Sequence, residues 1–191
     1  MIFFTSDHHF SHQNIIRYCA RPFSSAEEMD AAMMRTWNEV VAPDDEVFYL
    51  GDFSLSAQVV RTITPKLNGT KHLIMGNHDL CHPVHKKKAA AAVEIYRDAG
   101  FVTLELSREI EIAGESVLLH HLPYLSPNAV DRYGDKYNKY RPENEGKWLL
   151  CGHIHQRWNR VDRMINVGVD VWGFKPVPIT TIEEIIRGEK T

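Results

Sequence analysis

Gly76-Asn77-His78-Asp79 sets a flexible glycine, an amide oxygen, an imidazole and a carboxylate in four consecutive positions. Glycine permits a sharp bend, and the Asn oxygen suits a hard cation. His ligates a metal or carries a proton near neutral pH. A following Asp can hold that His in one tautomer. Gly-Asn by itself is also ordinary turn chemistry, so this stretch needs support from elsewhere in the chain.

Support comes from four further places. Five short apolar runs each end in metal-compatible side chains: Asp7 and His9, Asp52, Asn77 and His78, His120 and His121, and His153 and His155. Runs without polar alternation imply strands buried on both faces. In layered α/β proteins ligands gather beyond the carboxyl ends of such strands. Asp7-x-His9 and His153-x-His155 turn alternate residues to one side of an extended segment. Carboxylate, amide and imidazole together suit Mn, Fe, Zn or a similar divalent ion. The absence of paired-cysteine spacing disfavours a structural zinc site. Six or seven ligands exceed the need of one ion that keeps a water, so two divalent metals are expected. A metal pair about 3.5–4 Å apart suits in-line displacement at phosphorus.

Elements must deliver these groups. Buried strands are expected at residues 2–5, 47–50, 71–75, 117–119 and 148–151, with further strands at 101–106 and 108–112. Ser25-Ala26-Glu27-Glu28 has capping-box spacing and opens a helix to about residue 41, with Met29, Met33, Trp37 and Val40 on its apolar face. Ser56 can cap a helix to about residue 64. Residues 13–19, 83–98 and 181–187 read as helices, 157–160 with 164–169 as a late hairpin, and 123–146 as a long active-site loop. The chain of 191 residues fits one domain, 1–191, with 43% hydrophobic and 25% charged residues. Its net charge of -3 argues against stable nucleic-acid binding. Cys19, Cys81 and Cys151 show no disulfide spacing, which points to a reducing compartment. There is no membrane-length apolar run and no signal-like N-terminus, so the expected location is cytoplasmic.

With these motifs assembled, residues 2 to 155 resemble the calcineurin-like metallophosphoesterase superfamily. The resemblance runs in order through Asp7-x-His9, Gly51-Asp52, Gly76-Asn77-His78-Asp79, His121-Leu122-Pro123 and Gly152-His153-x-His155. Asn14, Arg21-Pro22-Phe23 and Gly51-Asp52-Phe53 look like a small bacterial and phage branch of uncharacterised phosphoesterases. The resemblance implies a four-layered α/β/β/α sandwich with two mixed sheets. It implies Asp7, His9 and His155 on one metal, Asn77, His121 and His153 on the other, and Asp52 bridging. It gives His78 the transition state or leaving oxygen, with Asp79 orienting it. Mn is the ion expected to serve in vitro, with Fe, Zn or Ni as alternatives. Phe53-Ser54 stands where protein phosphatases continue with a second Asp, so phosphoprotein hydrolysis is not expected. His8 and His120 remain rivals to His9 and His121 in a register shifted by one.

Arg17 and Arg21 follow the first ligand loop and are candidates for substrate phosphate, which Arg binds bidentately; surface ion pairing is the competing reading. Lys86-Lys87-Lys88 reads as a solvated helix face, and His12, His72, His82 and His85 as surface or packing residues. The expected function is metal-dependent hydrolysis of a small phosphomonoester or phosphodiester, nucleotides included. A nuclease or RNA-end phosphatase is the alternative within hydrolases. A binding scaffold that has lost catalysis is the alternative outside them.

Overall fold

The computed structural model describes residues 1–128 and 134–188. Its strands form two five-stranded sheets. The first contains β1 (Ile2–Thr5), β2 (Glu46–Tyr49), β3 (Thr70–Ile74), β4 (Phe101–Glu105) and β10 (Val177–Pro178), in the order β10-β1-β2-β3-β4. β1 to β4 run parallel and β10 is antiparallel to β1. The second contains β5 (Ser107–Ile112), β6 (Glu115–His120), β7 (Trp148–Cys151), β8 (Arg160–Val161) and β9 (Met164–Asn166), in the order β5-β6-β7-β9-β8. There β6, β7 and β9 are parallel, with an antiparallel strand at each edge. Both sheets are mixed, as expected.

The uninterrupted apolar runs have a direct cause: the first sheet is covered on both faces. Phe3, Val47, Tyr49 and Leu73 pack against Ile15 of α1 (Gln13–Tyr18) and Met29, Met33 and Trp37 of α2 (Ala26–Val40). Val60 and Ile63 of α3 (Ala57–Ile63) and Ala92 and Tyr96 of α4 (Lys87–Asp98) complete that layer. The alternate residues Phe4, Phe48, Leu50 and Ile74 meet Val117, Leu119, Trp148, Leu150 and Ile165 of the second sheet. Each such burial is worth about 1.5–3 kcal/mol, which fixes the strand registers. Ile182 and Ile185 of α5 (Ile179–Ile186) join this inter-sheet core. The opposite face of the second sheet packs Leu149, Cys151 and Met164 against Tyr124 and Trp158, both loop residues.

Several local expectations change. Ser25 Oγ accepts the Glu28 N–H, but the Glu28 carboxylate turns to the backbone and hydroxyl of Ser24 and does not close a box. The helix expected over 83–98 is divided: Pro83–His85 form a 3-10 turn and α4 starts at Lys87. Lys86 stands between them at φ 55°. β4 and β5 are neighbours in sequence yet belong to different sheets. Residues 129–133 of the expected active-site loop lie outside the described residues, and Gly134–Tyr140 form 3-10 turns. Among the described residues, no helix is long and apolar enough to cross a membrane.

Candidate metal centre

The parallel order of β1, β2 and β3 brings their carboxyl ends to one edge, and β6 and β7 bring theirs in the second sheet. The first two loops then run side by side. Asp7 N–H donates to the Gly51 carbonyl at 3.0 Å, His9 N–H to that of Asp52 at 3.1 Å, and Phe10 N–H to that of Phe53 at 2.8 Å. His153 N–H donates to both Asp7 carboxylate oxygens, at 3.1 and 2.9 Å, and so joins the loop after β7 to the loop after β1. Gly51 and Gly76 must be glycine for this approach. A Cβ on Gly51, which has φ 87°, would lie 2.4 Å from Gly76 N, and one on Gly76 would lie 2.3 Å from Asp52 Oδ1.

Seven side chains converge. Ligand atoms of Asp7, His9 and His155 lie within 4.8 Å of one another, and so do those of Asp52, His121 and His153. Asp52 Oδ2 stands 3.5 Å from His9 Nε2 and 3.4 Å from His121 Nε2, between the two groups. Asn77 Oδ1 is 3.1 Å from His121 Nε2. Asp7, His9, Asp52, His153 and His155 all adopt φ between 50° and 72°. A non-glycine residue there costs about 1–3 kcal/mol and persists when its surroundings enforce it. His9 is buried, and neither ring nitrogen has a hydrogen-bond partner. Burial without compensation is costly, so the donor set and the orphaned nitrogens fit a divalent cation.

The electrostatics follow from burial and proximity. Burial holds His9 well below its ordinary value, despite the Asp52 charge, and does the same to His153. Burial also opposes protonation of His121, but the Asp52 and Asp7 carboxylates outweigh it and push His121 up to about 9. Burial likewise opposes a charged His155, and hydrogen bonding to Asp170 overcomes it. Asp52 is driven well below the carboxylate range: burial raises it, and His121, His78 and His9 more than reverse that.

Packing and grouping bear on the two register questions: His9 and His121, not His8 and His120, belong to the groups that could hold a metal. His8 is stacked on Phe10 with ring centroids 4.9 Å apart, and its Nδ1 is 2.8 Å from the Tyr49 hydroxyl. Burial, with Arg21 nearby, lowers it to about 3. His120 turns its Nδ1 to the Leu122 N–H at 2.9 Å. His9 and His121 are therefore the residues at the centre.

The structure bears on three of the expected site residues. Asp79 makes no hydrogen bond to His78 among the described residues. It accepts the N–H groups of Gly76 and Asp52 on Oδ2, at 2.7 and 2.9 Å, and that of Phe53 on Oδ1 at 2.9 Å. Burial and the Asp52 charge still push its carboxyl up to about 7. Arg21 is buried, with its guanidinium taken up by groups of the protein. Its guanidinium makes two bonds to Asp170, at 2.8 and 2.9 Å, and reaches the carbonyls of Asp7 at 2.6 Å and His8 at 2.7 Å. Arg17 is exposed on α1 and lies over the Tyr18 ring. His78 is half-buried with its ring 5.5 Å from that of His9, and its N–H donates to Asp52 Oδ1.

Asp170 is the participant that the sequence reading missed. It holds His155 Nδ1 at 3.1 Å while pairing with Arg21, and an outer carboxylate of this kind orients a ligating His. The available signal was the apolar run 164–169, which also ends in an acid. Tyr137 sets its ring edge-on to His153 at 5.6 Å, closing one side of the centre.

Two mixed sheets with Asp, Asn and His at the parallel strand ends define a metallophosphoesterase-like α/β protein. The calcineurin-like phosphoesterase superfamily domain matches residues 1–180, and the chain belongs to this superfamily. An uncharacterized protein of Methanocaldococcus jannaschii is 33% identical, over 99% of this chain and 93% of its own length. The Gene 66 protein of Mycobacterium phage L5 is 31% identical, over 89% and 86%. The solved structure of a protein of unknown function from Aquifex aeolicus is 26% identical with a TM-score of 0.67, covering 97% of this chain and 98% of that one.

Proposed function

We propose that this chain is a cytoplasmic, single-domain (1–191), dinuclear-metal phosphoesterase that hydrolyses a small phosphomonoester or phosphodiester, nucleotides included. Asp7, His9 and His155 would hold one ion and Asn77, His121 and His153 the other, with Asp52 shared. Mn is the ion to test first, with Fe, Zn and Ni as alternatives. The observation that carries this reading is Asp52 Oδ2, 3.5 and 3.4 Å from imidazole nitrogens of the two separate ligand groups. Bound metals supply an activated water and stabilise charge on the leaving oxygen.

The chain's own groups do the remaining work. Asp170 and Arg21 hold His155 and the backbone of Asp7 in place. Asp79 fixes the loops that carry Asp52 and Asn77. His78, half-buried beside His9, would give a proton to the leaving oxygen. A complete ligand set together with His78 favours an enzyme over a scaffold that has lost catalysis. The three free, buried cysteines agree with a reducing compartment.

The test is reconstitution of the stripped protein with Mn, Ni, Mg, Zn or Fe, followed by assay of aryl phosphomonoesters, aryl phosphodiesters and cyclic nucleotides. Turnover should require metal, and Asp52→Asn should remove most of it. Full activity in the stripped protein, or in Asp52→Asn, overturns the reading.

A further inference from the structure

His12 occupies a place that a surface residue does not need. The turn from His9 to His12 is built with strain: His9 has φ 50° and Ser11 φ 61°. Two contacts from α2 hold it, with the Ser11 N–H donating to Asp30 Oδ1 at 2.8 Å and the Ser11 hydroxyl to Asp30 Oδ2 at 2.6 Å. Asp30 itself is largely buried, so a carboxylate has been taken from water to hold this turn. The His12 N–H closes the turn onto the His9 carbonyl at 3.1 Å.

The turn aims His12 at the metal centre. Its ring centroid is 5.8 Å from that of His9, whose ring is in turn 5.5 Å from His78 and 5.1 Å from His155. His12 and His78 therefore both flank His9. Tyr18 supports the His12 ring edge-on at 6.4 Å. The side chain makes no capping bond to α1, and its enclosed Nδ1 has no partner. His12 as a whole is half-buried, with its Nδ1 enclosed.

A strained turn, a buried acid to hold it and an enclosed imidazole nitrogen without a protein partner converge on one explanation. We propose that His12 is a second substrate-contacting residue beside His78, which donates a hydrogen bond to a non-bridging oxygen of the phosphoryl group. The inference rests on the metal-centre reading above. Arg21 faces Asp170, and Arg17 lies over Tyr18. Paired imidazoles would then supply phosphate contacts that Arg21, engaged with Asp170, does not.

The test is calorimetric titration of inorganic phosphate into metal-loaded wild type, His12→Ala and His12→Gln, with metal content, thermal midpoint and turnover of bis(p-nitrophenyl) phosphate measured alongside. His12→Ala should keep its metals and its thermal midpoint. Its phosphate affinity and kcat/KM should both fall by about tenfold to a hundredfold, the range for losing a hydrogen bond to a charged group. His12→Gln, which retains a donor, should recover part of the loss. Phosphate affinity in His12→Ala within twofold of wild type overturns the proposal. So does loss of metal from His12→Ala, which would make His12 a ligand. A wild type that takes up no metal overturns the metal-centre reading, while the phosphate titration still judges His12: no binding by wild type, or equal binding by all three proteins, removes its role.

Discussion

Asp79 Oδ2 accepts the backbone N–H of Asp52 at 2.9 Å, tying the loop after β3 to the loop after β2. The same oxygen accepts the Gly76 N–H at 2.7 Å, and Oδ1 accepts that of Phe53 at 2.9 Å. The carboxylate beside His78 is thus a clamp that holds the backbone around Asp52.

Asp79→Asn should therefore act on stability and metal content before it acts on chemistry. The amide replaces one acceptor oxygen with a donor facing buried N–H groups. Stranding such groups costs about 1–3 kcal/mol each. The urea midpoint should fall by an amount equivalent to about 3 kcal/mol, and metal retention should weaken. A normal midpoint and full metal with slow turnover would return Asp79 to the role of orienting His78.

Arg21 gives a second contrast between position and role. It pairs with Asp170, which holds His155 Nδ1, and it also bonds the carbonyl of Asp7. Both His155 and Asp7 belong to the same ligand group. Arg21→Lys keeps the charge but loses the two-point fork, so it should preferentially weaken one of the two metal equivalents proposed above, by about tenfold to a hundredfold. Metal analysis after partial chelation would show it. A variant with both metals intact and only a raised KM would make Arg21 a phosphate-binding residue.

These two residues mark where sequence reading stops. Strand-end groups could be found because β1, β2 and β7, and the apolar end of β3, are buried, read as apolar runs, and are soon followed by polar residues. Their convergence comes from parallel order, which such runs imply. Asp79 was assigned to its sequence neighbour His78, and Arg21 to the substrate phosphate. The partners of Asp79 include residues 26 and 27 positions earlier, and that of Arg21 is 149 positions later. Asp170 was missed because it sits in a short 3-10 turn (Val169–Val171), beyond the end of the three-residue strand β9. The break at Lys86 left no mark either, since the lysines around it are good helix formers.

Gly51 offers a test of the close loop crossing. An added Cβ would lie 2.4 and 2.5 Å from the backbone N and Cα of Gly76, at φ 87°. Gly100 has φ 109° and nothing within 4 Å of such a Cβ. Gly100→Ala should cost about 1 kcal/mol, the backbone strain alone. Gly51→Ala adds a backbone clash and should cost at least about 3 kcal/mol more, with loss of metal. Equal urea midpoints for the two variants would contradict the crossing.

The pH dependence of metal uptake tests the charge arrangement. In the metal-free protein burial disfavours a charged His121, yet Asp52 and Asp7 push it up to about 9. A raised value means that protonated His121 stabilises the metal-free fold fully below the ordinary 6.5, and that this contribution fades as pH rises through about 9. Ligation requires the neutral ring. Between pH 6.5 and 8.5, metal binding should therefore expel about one proton from His121, and more from His155, which is also raised. Apparent affinity should climb by roughly tenfold per pH unit for each proton released. Calorimetry with zinc in weakly chelating buffers of different ionisation enthalpy counts these protons. His121→Asn should lower the count by about one while weakening uptake, because Asn offers oxygen and has no proton to lose. A count that is the same in wild type and variant, or an affinity that does not change with pH, would show that Asp52 does not hold a protonated His121 in the empty centre.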